Sequence, residues 1–282
     1  MTDTQITVGL VQMTATDDVA GNGRIAAGLI DDAVAQGAGF VATPEMTNIL
    51  TASGKTLWAN VQTEEQDPTL ALMRKKAAAL GIWLLVGSLA IRRADDKLAN
   101  RSFMIDPKGE VRARYDKIHM FDVELPGGES YRESKSYTPG AAPVAVHTPF
   151  GLVGMSICYD VRFPYLYRQL GLTGAGIICV PAAFTKTTGE AHWHTLLQAR
   201  AIETGCFILA PAQVGHHGPG RETFGHSLII DPWGKIISDG QCAVGVLTAT
   251  LHLSEVKAAH SKIPSLSHAV ELENVVIEGD AQ

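Results

Sequence analysis

A repeated rhythm of short apolar runs and helix-like segments, closed in each half of the chain by the same turn, most constrains the fold. Ile6-Thr-Val-Gly-Leu-Val-Gln12 reads as a buried strand. Asp17 to Gln36 then carries Ile25, Leu29, Ile30, Ala33 and Val34 at helical spacing, ending before Gly37. Phe40 to Thr43 is a second strand, stopped by Pro44; Asp67-Pro68 gives an N-cap and first-turn proline for a helix to Leu80, and Ile82 to Gly87 is a third strand. This alternation implies layered α/β structure. Leu98–Ile105 and Val111–Ile118 then flank Asp106-Pro-Lys-Gly109, a hairpin signal. The second half repeats the scheme. Val144–His147 and Leu152–Cys158 flank Pro149-Phe-Gly151, Tyr165–Leu172 and Glu190–Glu203 read as helices, and Ile177–Val180 and Phe207–Ala210 as strands. Ser227–Ile230 and Lys235–Ser238 bracket Asp231-Pro-Trp-Gly234, and Val244–Thr250 is a last strand before a short helix from Ser254. No Pro/Gly/Ser linker separates the halves, so the expectation is one domain, residues 5–253, with a pseudo-symmetric pair of sheets. A C-terminal helix and tail, 254–282, could lie at a dimer interface. Residues 119–143 have little periodicity; a loop that long in a compact domain is usually functional or wrongly assigned.

Composition narrows the function classes. Of 282 residues 46% are hydrophobic and 18% charged, enough for a sizeable core. The net charge of -6 argues against nucleic-acid or membrane-surface partners, which want a basic patch. Arg74-Lys-Lys76 and Arg92-Arg93 read as solvated faces. There is no membrane-length apolar run and no signal-peptide pattern at the start, and the cysteines at 158, 179, 206 and 242 form no CxxC pair. A cytoplasmic protein with free thiols is expected.

The chemistry centres on Gly154-Met-Ser-Ile-Cys158-Tyr-Asp-Val-Arg162-Phe-Pro164, an apolar run ending on a cysteine before an abrupt polar, proline-marked change. This reads as a strand turning into a helix that begins near Phe163 or Pro164, at the carboxyl end of a sheet where ligands bind. A helix N-terminus beside the sulfur would favour thiolate. The plain alternative is a small buried core cysteine. A nucleophile needs a base and an oxyanion stabiliser. Glu45 after Thr43-Pro44, and Lys117 in Tyr115-Asp-Lys-Ile-His119, stand at strand ends; each alone is ordinarily a surface charge. His192-x-His194 is a weak metal signal, because residues two apart on a helix face different ways, and Gly171, Gly174 and Gly176 do not form a nucleotide loop. No metal and no cofactor are expected.

Pro44-Glu45, Tyr115-x-Lys117-x-His119 and Cys158-Tyr-Asp160-x-Arg162-Phe-Pro164, in that order, resemble the nitrilase or carbon–nitrogen hydrolase superfamily from about Ile6 to Leu253. The resemblance implies a four-layer α-β-β-α sandwich, a homodimer or higher homo-oligomer, and an amidohydrolase that forms a cysteine thioester and releases ammonia. It implies Cys158 as nucleophile, Glu45 as general base, Lys117 as stabiliser of the tetrahedral intermediate, Glu133 as a second carboxylate and the Tyr159 N–H in the oxyanion hole. A buried Glu45 could keep a proton near neutrality if desolvation outweighed its ion pair. Arg162, His192 and Trp193 are candidate substrate contacts. Ile118–Glu124, Gly189–His194, Ala199–Glu203, Gly225-His226 and Asp231–Gly234 resemble the Nit branch. Within it the chain is closer to members acting on deaminated glutathione than to ω-amidases acting on α-keto acid amides such as 2-oxoglutaramate. An N-carbamoyl hydrolase, a nitrilase and a catalytically silent interaction protein on the same fold are the alternatives.

Overall fold

The computed structural model describes residues 4–125, 128–271, 273, 275 and 276. The chain begins with β1 (Gln5–Gln12), α1 (Val19–Ala35), β2 (Phe40–Ala42), α2 (Gly54–Asn60), α3 (Pro68–Leu80) and β3 (Trp83–Arg92). Next come the hairpin β4 (Leu98–Ile105) and β5 (Val111–Asp116), and the short ribbon β6 (Asp122–Glu124) and β7 (Ser130–Arg132). The second half runs β8 (Val144–Thr148), β9 (Gly151–Met155), α4 (Pro164–Leu172), β10 (Ile177–Cys179), α5 (Lys186–Thr204) and β11 (Phe207–Ala210). It ends with β12 (Val214–His216), β13 (Glu222–Phe224), β14 (Leu228–Ile230), β15 (Ile236–Asp239), β16 (Gly245–His252) and α6 (Ser254–Lys262).

Two six-stranded sheets carry the fold, in the orders β16-β1-β2-β3-β4-β5 and β8-β9-β10-β11-β14-β15. Each has an antiparallel edge strand, three parallel strands and an antiparallel hairpin. The two Asp-Pro-x-Gly turns close the equivalent hairpins β4–β5 and β14–β15. The expected doubling is therefore visible in strand order.

The strands are apolar on both faces because both faces are covered. Leu10, Leu85 and Met104 point toward the second sheet and pack with Met155 and Ile177, while Val11, Leu84 and Phe103 pack against Ala26, Ile30, Met73 and Ala77 of α1 and α3. Trp193, Leu197 and Ala201 of α5 and Leu166, Tyr167 and Leu170 of α4 cover the far side of the second sheet. The result is the α-β-β-α sandwich. Asp18, Asp67 and Thr185 cap α1, α3 and α5, and Gly81 and Gly205 end α3 and α5 with φ of 66° and 61°.

Four features depart from the sequence reading, the first being the ribbon β12–β13, which was not expected. Residues 119–143 contain β6, β7 and a 3₁₀ turn at Glu133–Lys135 instead of an unbroken loop. Helix α2 has no buried residue, so no apolar stripe announced it. Helix α5 starts at Lys186, four residues before the expected Glu190. In the expected tail, residues 272, 274 and 277–282 lie outside the described set.

Candidate active site

Glu45 stands on a turn that the chain holds rigidly. Strand β2 ends at Ala42, and Pro44 prevents further pairing. Thr43 Oγ1 bonds Thr47 Oγ1 at 2.9 Å and accepts the Gly87 N–H at 3.1 Å, while Thr47 Oγ1 donates to the Pro44 carbonyl at 2.7 Å. Met46, with φ of 58°, donates its N–H to Ser88 Oγ at 2.9 Å. Gly87 is needed here: a Cβ at that position would lie 2.0 Å from the Thr43 carbonyl oxygen and 2.6 Å from Pro181 Cβ. The Glu45 carbonyl accepts from Gln213 Nε2 at 3.0 Å.

Lys117 follows β5 and is 2% exposed. Its Nζ lies 3.1 Å from Glu45 Oε1 and 2.8 Å from Glu133 Oε2. Asn100 on β4 joins the same group, its Nδ2 donating to Glu45 Oε1 at 2.8 Å and Glu133 Oε1 at 3.1 Å. The second Glu45 oxygen accepts the Ala183 N–H at 2.7 Å, and Glu133 accepts the Phe121 N–H at 2.7 Å. Sequence reasoning missed Asn100. Its signal was a carboxamide inside the apolar strand Leu98–Ile105, where a buried polar group must have partners.

Cys158 opens a 3₁₀ turn, Cys158–Arg162, directly after β9, with φ of 49°. Side chains rarely adopt that conformation, and it is held by long-range contacts. The Cys158 N–H donates to the Pro181 carbonyl at 2.9 Å. Fully buried Asp160 is the keystone: its carboxylate accepts the Ile157 N–H at 2.9 Å, Tyr115 Oη at 2.6 Å, the His119 N–H at 3.0 Å and His119 Nδ1 at 2.6 Å. Tyr115 and His119 flank Lys117, so the Tyr-x-Lys-x-His spacing ties the lysine's strand end to the cysteine's elbow. From behind, buried Arg200 donates through Nε to the Val161 carbonyl at 2.9 Å.

Electrostatics set the resting charges. Burial pushes the Cys158 thiol well above its ordinary range, and the nearby Glu45 charge adds to this, so the sulfur rests protonated. Helix α4 begins at Pro164 as expected, but burial of the sulfur and the neighbouring Glu45 charge outweigh any help from its N-terminus, so the expected thiolate is disfavoured at rest. Burial pushes Glu45 up, but Lys117 and hydrogen bonds from Asn100, Cys158 and Ala183 together outweigh it and leave the carboxyl below its usual value. Desolvation therefore does not outweigh the ion pair, and Glu45 rests ionised beside the protonated thiol. For Lys117, burial opposes the charge, yet Glu133 and Glu45 raise its pKa well above that of a free lysine. A thiol beside an ionised base, with an ammonium facing both, can attack an electrophilic carbon and hold the anion formed.

Glu45, Lys117, Glu133, Cys158 and Tyr159 all line one cavity of about 380 Å³. Its wall also includes Met46, Ile49, Leu50 and Leu57 after Glu45, Tyr131 and Arg132 from β7, Phe184, Thr185 and Thr188 around the start of α5, and Arg221. The other expected contacts stand outside that wall. Trp193 is wholly buried and donates through Nε1 to the His226 carbonyl at 2.8 Å. The Arg162 guanidinium lies over the Tyr159 and Phe184 rings, and His192 Nδ1 is 3.3 Å from Arg162 Nη2, so this pair backs the aromatic wall from outside.

His192 and His194 do face different ways. His194 Nε2 lies 3.3 Å from Asp239 Oδ2, and His226 Nδ1 lies 3.0 Å from Asp239 Oδ1. Among the described residues these three are a group whose donor atoms, all within 4.8 Å of one another, could hold a metal ion. None of them lines the cavity. Their spacing is that of two imidazoles bracketing a carboxylate.

The carbon–nitrogen hydrolase family profile matches residues 7–261. A deaminated glutathione amidase of Yersinia enterocolitica is 44% identical over 232 residues, 81% of each chain. The chain belongs to the carbon–nitrogen hydrolase family. A deaminated glutathione amidase of Synechocystis sp. is 41% identical over 264 residues, covering 92% of this carbon–nitrogen hydrolase and 96% of the relative. The crystal structure of the Caenorhabditis elegans NitFhit protein superposes with a TM-score of 0.87 at 34% identity, over 95% of this hydrolase and 66% of that longer chain. The family and the fold therefore agree with the expectation from the sequence. This protein is a hydrolase of carbon–nitrogen bonds other than peptide bonds. No helix among the described residues is long and apolar enough to cross a membrane.

Proposed function

We propose that this carbon–nitrogen hydrolase cleaves the amide of deaminated glutathione, with Cys158 as nucleophile, Glu45 as general base and acid, and Lys117 with the Tyr159 N–H as the oxyanion site. The observation that carries the chemistry is the placement of the Cys158 thiol, the ionised Glu45 and the Lys117 ammonium in one cavity. The names of two relatives more than 40% identical support the substrate.

As Cys158 Sγ bonds to the amide carbon, Glu45 takes the thiol proton and the carbonyl electron pair moves to oxygen. The oxyanion is held by Lys117 and the Tyr159 N–H. Collapse breaks the carbon–nitrogen bond as Glu45 gives the proton to the departing nitrogen, leaving a thioester. Water, losing a proton to Glu45, attacks the thioester; the second tetrahedral adduct collapses to the acid, and the proton returns to sulfur. Glu133, 2.8 Å from Lys117, positions the ammonium and the substrate amide. Deaminated glutathione joins a keto-dicarboxylic acyl group to cysteinylglycine, so its leaving group is the dipeptide amine. Ammonia leaves only from a primary amide such as 2-oxoglutaramate.

The test measures 2-oxoglutarate formed from both compounds, with Cys158→Ala as the blank. We expect a higher kcat/KM for deaminated glutathione and background turnover in the variant. Preference for 2-oxoglutaramate would make the enzyme an ω-amidase; wild-type turnover by Cys158→Ala would overturn the nucleophile. The free thiols suit a reducing cytoplasm, and exposed Leu172, Ile202 and Trp233 suit a homodimer, readable by sedimentation at varied concentration.

A further inference from the structure

Three cationic side chains line the active cavity: Lys117, Arg132 and Arg221. Two are already engaged. Lys117 is paired with Glu45 and Glu133. Arg132 pairs with Glu124 and donates to the Val123 and Tyr131 carbonyls at 3.2 and 2.9 Å. Arg221 has no carboxylate partner among the described residues, and its buried Nε has no hydrogen-bond partner among them. Its guanidinium lies 5.6 Å from the centre of the Tyr131 ring, which orients the planar group without satisfying its donors. A buried donor left unpaired is costly, and a carboxylate would satisfy two guanidinium donors at once.

The segment carrying Arg221 is anchored. The Arg221 carbonyl accepts the His217 N–H at 3.0 Å, Thr223 bridges to Thr185, and the Phe224 N–H donates to the Phe184 carbonyl at 2.9 Å. Buried His217 bonds the Ala15 carbonyl at 2.7 Å and Thr223 Oγ1 at 2.6 Å. Arg221 is thereby fixed to the start of α5, whose Thr185 and Thr188 line the same cavity. The positive end of that helix adds to the attraction for an anion. The acidic group nearby, Glu129, is held by Tyr131 Oη at 3.2 Å and Thr187 Oγ1 at 3.4 Å.

We infer that Arg221 receives a carboxylate of the substrate and so selects anionic amides over neutral ones. This deepens the reading of the preceding subsection and rests on it. Deaminated glutathione offers two carboxylates, on the keto-acid side and on glycine, whereas 2-oxoglutaramate offers only the former.

The experiment compares wild type, Arg221→Gln and Arg221→Lys on deaminated glutathione, 2-oxoglutaramate and neutral butyramide. In Arg221→Gln the KM for deaminated glutathione rises about ten- to hundredfold with kcat within about threefold, a size expected for losing a charge-assisted hydrogen-bond pair. Lysine restores part of the loss, and the neutral amide is hydrolysed as by wild type. A rise for both anionic substrates places the keto-acid carboxylate on Arg221; a rise for deaminated glutathione alone places the glycine carboxylate there. Unchanged KM for both, or an equal loss on butyramide, overturns the inference. A second measurement separates it from failure of the substrate assignment. Calorimetric titration of Cys158→Ala with 2-oxoglutarate and with cysteinylglycine should show binding of at least one that Arg221→Gln weakens at least tenfold. Binding of neither, or binding that Arg221→Gln leaves intact, would overturn it whatever the amide hydrolysed.

Discussion

The two sheets have the same strand order, yet only one of the two equivalent joints carries the proposed chemistry. Aligning β1-β2-β3 with β9-β10-β11 puts Phe40 opposite Ile177 and Val8 opposite Val153, because those residues are paired in the two sheets. Pro44-Glu45 then corresponds to Pro181-Ala182, and Met13 to Cys158. In the first half β1 continues to Gln12, paired with β16 as far as Gly245, and Met13 is a fully buried core residue. In the second half β9 stops at Met155, and the chain reaches left-handed backbone at Cys158. The polar ties differ as well. After β9, Asp160 reaches across to Tyr115 near the end of β5 and to His119 beyond it. At the equivalent joint, which also stands at the carboxyl end of the parallel strands, Gln12 reaches beyond β15, its Nε2 donating to the Gly240, Gln241 and Ala243 carbonyls at 3.1, 3.0 and 2.8 Å while its Oε1 accepts the Ser227 N–H at 2.7 Å. One joint binds a neutral amide with every group satisfied. The other keeps charges facing a cavity. Ending one strand early and replacing neutral groups with charged ones separates the proposed reactive site from its structural counterpart.

The largest expected effect is at the charged joint. Lys117→Ala should lower kcat by about two to three orders of magnitude, the usual loss for an oxyanion stabiliser. It also leaves Glu45 and Glu133 close together without their cation, for which a stability loss of about 3–5 kcal/mol is expected. Kinetics and urea unfolding on the same preparation check both. A variant that loses stability but keeps kcat would mean that Lys117 serves the fold alone.

The matching change at the neutral joint sharpens the contrast. Gln12→Ala removes four hydrogen bonds around a buried amide and should cost about 2–4 kcal/mol, since the Ser227 N–H and three carbonyls lose a partner. With the fold intact, kcat should stay within about threefold of wild type. A hundredfold loss of kcat without unfolding would show the two joints to be coupled.

Much of this site was legible in the sequence because each charged motif ends an apolar strand. Pro44 and the Tyr-Asp-x-Arg-Phe-Pro break mark where β2 and β9 stop, and the Asp-Pro-x-Gly turns mark the doubled hairpins. What was not legible depends on contacts between elements distant in sequence. Asn100 is hidden in an apolar run and acquires meaning only when β4 and β5 bring it to Lys117. Arg221 follows a Gly-Pro-Gly stretch with no periodicity, and only the Thr185–Thr223 bridge places it at the cavity. Trp193 packs against Phe184 of the cavity wall and Arg162 is four residues from Cys158, but helix α5 buries the tryptophan in the core and the arginine stacks behind the cavity's aromatic wall. Resting charge was misread for the same reason: the mutual burial of Cys158 and Glu45, which the sequence does not express, decides which of them keeps the proton.

The smallest effect bears on the backbone difference itself. A left-handed residue other than glycine costs on the order of 1–2 kcal/mol, and glycine escapes that cost. In an ordinary strand the order is reversed, and glycine is less stable than alanine by about 0.5–1 kcal/mol. Cys158→Gly should therefore be more stable than Cys158→Ala by about 1 kcal/mol, both being inactive, whereas Met13→Gly should be less stable than Met13→Ala. Comparing within each position cancels most of the cavity left by the lost side chain. Urea midpoints of the four variants read the two signs directly. Opposite signs would show that the conformation of the proposed nucleophile is kept against stability. The same sign at both positions would mean that the elbow at Cys158 carries no strain, and the difference between the joints would then rest on side-chain charge alone.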